Sequence, residues 1–163
     1  MSSYDHIKVC YVEDVNAGII NSFCESIIVP TNTIGVLNYG LGKICRQDYR
    51  DSYTMYLRYC ELKQHRPESP ILYLQAGIRH NILYCAIKER DKGPPQLEYV
   101  EANLKWLVEN KGYYSMMKSI ALPPLGCEHR GLNWYKDIRP LYIEYLPKIK
   151  LPITLYLPKA REV

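Results

Sequence analysis

The chain has 163 residues, 47% of them hydrophobic and 23% charged, with a formal net charge of +4. Such a composition excludes a disordered or low-complexity polypeptide and fits one domain with a full core, spanning 1–163. There is no secretory leader at the start, no apolar run of membrane-spanning length and no dense Lys/Arg arm; the mild charge permits contact with nucleic acid or a polyphosphate and requires neither.

Ile7 to Val12 alternates as a strand, and Val15 to Cys24 suits a short helix. Ser26 to Val29 is a β-branched run expected as a buried strand, and Pro30 to Gly42 reads as a loop with Gly35, Asn38, Gly40 and Gly42. From Leu41 to about His65 the chain is helix-prone, in two pieces broken near Asp48-Tyr49, and Pro67 and Pro70 end it. Ile71 to Gln75 and Asn81 to Ile87 read as neighbouring strands joined by a turn at Gly77, and Lys88 to Pro95 is polar and breaker-rich. Leu97, Val100, Leu104, Leu107 and Val108 mark one helix face, with Glu101 and Lys105 spaced for an i,i+4 pair and Gly112 as the stop. Met116 to Leu122 reads as a strand. Trp134, Ile138, Leu141, Tyr142 and Tyr145 form a helical stripe, with Pro140 tolerable near its first turn, and Ile153 to Leu157 is a last strand. The alternation of strands and helices predicts a three-layer α/β/α sandwich with a mixed, largely parallel central sheet.

The six cysteines form no CxxC pair, and no His/Cys group has zinc-ligand spacing. That pattern fits reduced thiols in a cytoplasmic protein and implies no metal. Sixteen tyrosines against one phenylalanine are mostly expected as amphipathic residues at the core edge.

Two segments carry the chemistry. In Ser119-Ile120-Ala121-Leu122-Pro123-Pro124-Leu125-Gly126-Cys127, followed by Gly131-Leu132-Asn133-Trp134, an apolar run stops at two prolines and a glycine, and a helical pattern then begins. A strand, tight loop and helix of this kind point backbone N–H groups and a positive helix end into one pocket, which suits a phosphate or diphosphate. The segment from Ile27 to Lys43 has similar logic. In open α/β sheets such loops line the ligand crevice beyond the strand ends.

Pro123-Pro124-Leu125-Gly126-Cys127 with Gly131-Leu132-Asn133-Trp134, and Val29-Pro30-Thr31-Asn32-Thr33-Ile34-Gly35-Val36 with Gly40, resemble the two ligand loops of macro domains, the ADP-ribose-binding fold. The resemblance runs from about Val9 to Pro158 and is to the branch of the terminal ADP-ribose glycohydrolase and the antitoxins that reverse DNA ADP-ribosylation. It implies ADP-ribose contacts at Asp14 and Val15, at Thr31, Asn32, Gly35, Val36 and Gly40, and at Pro124 through Leu132. That last stretch includes Leu125, Gly126, Cys127, Glu128, His129, Arg130 and Gly131.

On this resemblance Asp14 accepts from the adenine amino group; its sequence context also suits a helix N-cap. Asn32 contacts the distal ribose, or serves as a turn residue. Lys88 acts at the anomeric carbon of that ribose, where an amine can attack or electrostatically assist, although a lysine after a strand is commonly a solvated charge. Tyr156 stacks on adenine, or is one more core tyrosine. The chain departs from the pattern twice. Leu37-Asn38-Tyr39-Gly40 replaces a more glycine-rich run, so Asn38 and Tyr39 narrow or re-aim that loop. Arg130 stands where some relatives have an aspartate that assists the lysine, as in the antitoxin type, which also lacks it. The implied function is binding of ADP-ribose and hydrolysis of its bond to a nucleobase in DNA or to a protein side chain, by a cofactor-free monomer with no membrane contact. A non-catalytic ADP-ribose binder is the alternative, and a phosphatase acting on ADP-ribose-1-phosphate is a third.

Overall fold

Six strands form one sheet in the order β1-β6-β5-β2-β4-β3. A computed structural model describes residues 5–75, 80–128 and 131–159. The strands are β1 (Ile7–Val12), β2 (Ser26–Asn32), β3 (Ile71–Tyr73), β4 (Asn81–Lys88), β5 (Ile120–Leu122) and β6 (Ile153–Pro158). Only β3 runs antiparallel, against β4. The helices are α1 (Val15–Ile20), α2 (Gly40–Asp48), α3 (Arg50–Glu61), α4 (Leu97–Glu109), α5 (Tyr114–Met117) and α6 (Arg139–Tyr145).

Strand alternation sorts the core into two layers. Ile27, Val29, Ile82 and Tyr84 pack with Ile19, Leu41, Cys45, Tyr56 and Cys60 of α1 to α3. Ile28, Leu83, Cys85 and Leu155 face the other way, onto Val100, Leu104 and Leu107 of α4 and Tyr142 and Tyr145 of α6. The result is the α/β/α sandwich expected, with a mixed, mainly parallel sheet. All six cysteines are free thiols. Among the described residues no helix is long and apolar enough to cross a membrane.

The structure corrects several element boundaries. Helix α1 stops at Ile20, with Asn21 at its C-cap. Strand β2 continues through Pro30 and Thr31 to Asn32 instead of ending at Val29. Its pairing to β5 covers only Ser26 and Ile27, so at Pro30 the strand has a single neighbour and tolerates a missing N–H. Gly112 does not stop α4; it lies in a 3-10 turn over Lys111–Tyr113, after the C-cap Asn110. Tyr114–Met117 is helical, and β5 begins only at Ile120, past Lys118 in a left-handed conformation (φ 64°). A π-helical turn over Trp134–Ile138 precedes α6, where Pro140 sits in the first turn. Glu101 accepts from Tyr145 Oη at 2.8 Å and is not ion-paired with Lys105. The turn at Gly77 lies outside the described residues.

Leu104 is fully buried where α4 meets the sheet. Leu104→Ala is expected to lower the unfolding free energy by about 2–5 kcal/mol, read by urea denaturation; a loss below about 1 kcal/mol would contradict this packing.

Candidate functional site

Strands β2 and β5 lie side by side, but their onward connections lead to opposite edges of the sheet, so the loops at their carboxyl ends part and open a crevice. The crevice has a volume of about 760 Å³.

The first wall is the loop from Thr33 to Tyr39. Asn32 holds it: the side chain is 2% exposed, and its Oδ1 accepts from the amides of Ile34 (3.1 Å), Gly35 (3.1 Å) and Val36 (3.3 Å). Its Nδ2 donates to Val36 O at 2.6 Å, which commits one of two amide hydrogens. Tyr56 Oη, from α3, donates to Asn32 O (2.8 Å) and lies 3.1 Å from Asn32 Oδ1. The turn reading of Asn32 is therefore structural fact, and the residue still lines the crevice. Gly35 (φ 87°) faces Leu57 and is not among the lining residues. Gly40 (φ 61°) opens α2, whose first turn has no side-chain cap and adjoins lining residues Tyr39, Leu41 and Gly42. Uncapped amides at that end favour an anion.

The second wall follows β5. Tyr142 Oη donates to Pro123 O (2.6 Å) and accepts from Leu125 N (2.9 Å), pinning the loop to α6. Cys127 N donates to Pro124 O and Leu132 N to Gly126 O. Among the described residues the N–H groups of Gly126 and Glu128 have no partner. Both residues line the crevice, so these donors suit a diphosphate. Gly131 is required by packing, because a Cβ there would lie 2.1 Å from Gly126 O. Leu125 and Leu132 build the loop from behind and do not line the crevice. Burial pushes the Cys127 thiol up to about 12, with Asp137 and Glu128 adding to it, so it is an unreactive thiol at neutral pH. Predicted contacts at His129 and Arg130 lie outside the described residues.

At one end of the crevice stand Asp14 and Val15, after β1. Asp14 is the N-cap of α1, its Oδ1 accepting from Ala17 N at 3.2 Å; the second carboxylate oxygen is uncommitted to that cap. At the other end stands Lys88, the last residue of β4, in register with Asn32 of β2. Its Nζ donates to Asp91 O (2.6 Å) and to the phenol of Tyr39. Asp91, Lys92, Gly93 and Pro95, expected only as part of a polar, breaker-rich stretch, form a third wall. Thr31 lines the crevice and bonds His65 Nε2 at 2.6 Å beneath it.

Tyr156 is displaced from its expected place. Its ring packs over Gly18 of α1, where a Cβ would approach it to 2.9 Å, and Pro158 at the end of the same strand lines the crevice instead. Side-chain alternation explains the offset, since Leu155 and Leu157 take the α6 face and leave Tyr156 under α1. Among the described residues no group of His, Cys, Asp and Glu is arranged to hold a metal ion.

No protein-family model matches the chain. A DNA ADP-ribosyl glycohydrolase of Thermus aquaticus is 30% identical over 122 residues, covering 74% of this chain and 34% of that protein. The structure of Thermosipho africanus DarTG in complex with ADP-ribose is similar with a TM-score of 0.84 and 25% identity, over 100% of this chain and 44% of that one. The macrodomain of Thermus aquaticus DarG is similar with a TM-score of 0.79 and 24% identity, over 94% of this chain and 98% of that one. The chain has the macro-domain fold and is similar to these DarG domains. It spans between 34% and 40% of the length of the curated relatives it matches.

Two outcomes follow from the packing of the loops. Tyr142→Phe strands a loop N–H and a carbonyl and should cost about 1–3 kcal/mol of unfolding free energy, measured by urea denaturation. Burial lowers His65 to about 4, whereas an imidazole in the unfolded chain titrates near 6.5. Above that range both states are neutral; as pH falls through it only the unfolded state gains the proton, so stability drops by up to about 3 kcal/mol between pH 6.5 and 4. Unfolding of the wild type across that window should show the drop, and His65→Gln should flatten it; parallel curves would refute the assignment.

Proposed function

We propose that the chain binds ADP-ribose and hydrolyses the glycosidic bond joining it to an acceptor, a nucleobase in DNA or a protein side chain, with Lys88 acting at the anomeric carbon of the distal ribose. The observation that carries this reading is the order of groups along the crevice. A carboxylate (Asp14) stands at one end, unpartnered amides and a helix N-terminus lie in the middle, and an amine (Lys88) beside a carboxamide (Asn32) stands at the other. In the strand order, β6, β5 and β2 separate β1 from β4, so the two ends are four strand spacings apart, roughly 19 Å. The ligand this suits is elongated, with an exocyclic amine on a base at one end, negative charge in the middle and a sugar at the other.

Adenine donates to Asp14, the diphosphate accepts from the amides of the two loops, and the remaining Asn32 amide hydrogen orients a ribose hydroxyl. The Lys88 ammonium gives up a proton, which the acceptor takes as its bond to the anomeric carbon breaks, and the freed amine forms the bond to that carbon. Water then displaces the lysine and releases ADP-ribose. Adenosine binding far from the reacting carbon supplies the positioning. The names of the relatives, a DNA ADP-ribosyl glycohydrolase and a complex with ADP-ribose, support the same ligand and make DNA the favoured acceptor.

A second reading, a binder without catalysis, draws on the contacts that already engage Lys88 Nζ. The two readings separate on ADP-ribosylated DNA and ADP-ribosylated protein as substrates. Release by the wild type, lost by at least about a hundredfold in Lys88→Ala while calorimetry still shows ADP-ribose binding, supports the hydrolase. Binding without release from either substrate gives the binder, and no heat on adding ADP-ribose sinks both.

A further inference from the structure

The loop before α2 and the segment after β4 face each other across the Lys88 end of the crevice, and one side chain spans them. Tyr39 places its phenol on the Lys88 ammonium, and its Oη also donates to Asp91 O at 3.2 Å. Lys88 Nζ donates to the same carbonyl at 2.6 Å and lies 5.0 Å from the centroid of the Tyr39 ring. One nitrogen is thus held by a carbonyl and a hydroxyl, contributed by two separate segments.

We propose that Tyr39 is the positioning residue for Lys88, fixing Nζ at the ribose end of the crevice; the proposal rests on the reading of Lys88 given above. A lysine on a strand end has four side-chain torsions and, in water, no preferred place for its charge. Tyr39 has two, and the chain on either side of it is constrained, by Asn32 before it and by the α2 helix after it. The ring is 37% exposed, so it is not there to fill the core. Its hydroxyl is the part that holds Nζ, because Nζ lies beyond the hydroxyl and not over the ring, whose packing survives without it. An amine that reacts at a sugar carbon gains from being held within a narrow range of positions, and a hydroxyl that is donor to Asp91 O and acceptor from Nζ defines that range.

The decisive variant is Tyr39→Phe. Three measurements are made on it and on the wild type: single-turnover release from an ADP-ribosylated DNA oligonucleotide, ADP-ribose affinity by calorimetry, and the rate at which limiting acetic anhydride modifies Lys88, read by mass spectrometry against the other lysines. Positioning predicts release slowed by roughly tenfold or more, ADP-ribose affinity within about threefold, and faster acylation of Lys88. Release within about twofold of wild type with unchanged acylation overturns the proposal. A parallel loss of affinity and rate also overturns it, because Tyr39 would then hold the ligand and not the lysine. If the wild type releases nothing, the hydrolase reading fails by itself, and the acylation rates alone decide whether Tyr39 holds Lys88.

Discussion

Pro123 and Pro124 have no amide hydrogen to give a sheet ladder, and β5 ends at the residue before them. Strand β2, paired with β5 only through Ser26 and Ile27, runs on to Asn32 with β4 as its sole neighbour. The sheet therefore has a notch at its centre, where the chain turns toward one edge after β2 and toward the other after β5. Asn32 and Lys88 at strand ends, and the loop that follows β5, border that notch. Were β5 to continue alongside β2, the ladder would close the space that the two loops now line.

A notch of this kind exposes main chain, and buried side chains hold its rims. Tyr142, fully wrapped by α6 and the sheet, satisfies Pro123 O and Leu125 N at once. Tyr56 does the same from the opposite layer, reaching Asn32 O, while Asn32 gathers the next loop's amides onto one carboxamide oxygen. Thr31 leans on His65, and Tyr84 on Ser52. Tyrosine is suited to this work because a single residue fills core volume with its ring and ends in a hydroxyl that both donates and accepts. The dominance of tyrosine over phenylalanine in this chain has a physical use here: two of its buried rings, Tyr56 and Tyr142, end on main chain at the rims, where a phenylalanine would leave a polar group unpaired.

The layered fold was legible in the sequence, because apolar periodicity is set by which face of each element is buried. Strands β1 and β4 and helices α2 and α4 fall within a residue or two of their expected positions, and α3 ends at Glu61, before the expected stop near His65. The misplaced boundaries share a cause, which is that tertiary pairing decided them. Pro30 reads as a break until the one-sided pairing of β2 is known, and Met116-Met117 reads as strand until Lys118 turns the chain. In the site, the resemblance named Gly126 and Lys88, and both line the crevice. Asp91 to Pro95 could not be named, because nothing in a polar, proline-containing stretch says which wall it will form. Strand parity decides Tyr156: the resemblance supplied an aromatic on the last strand, and the pleat turns that ring toward α1, off the crevice lining.

The crevice mixes charges of both signs, and their placement along it matters more than their sum. Asp14 and Glu13 follow β1 at one flank, and Lys88 and Lys92 lie at or after the end of β4 at the other. The middle is furnished with amide dipoles and no described cationic side chain. A diphosphate held that way is recognised by direction and spacing more than by net charge, and it leaves the lysine free of a competing phosphate. Glu128 strengthens the argument. Its carboxylate stands close against Gly40, between the two loops, where its charge opposes an anion. A free phosphate or a polyphosphate without the base meets that carboxylate with nothing to offset it, whereas a ligand anchored at Asp14 is already in register. The sheet order thus acts as a ruler, setting Asp14 and Lys88 four strand spacings apart.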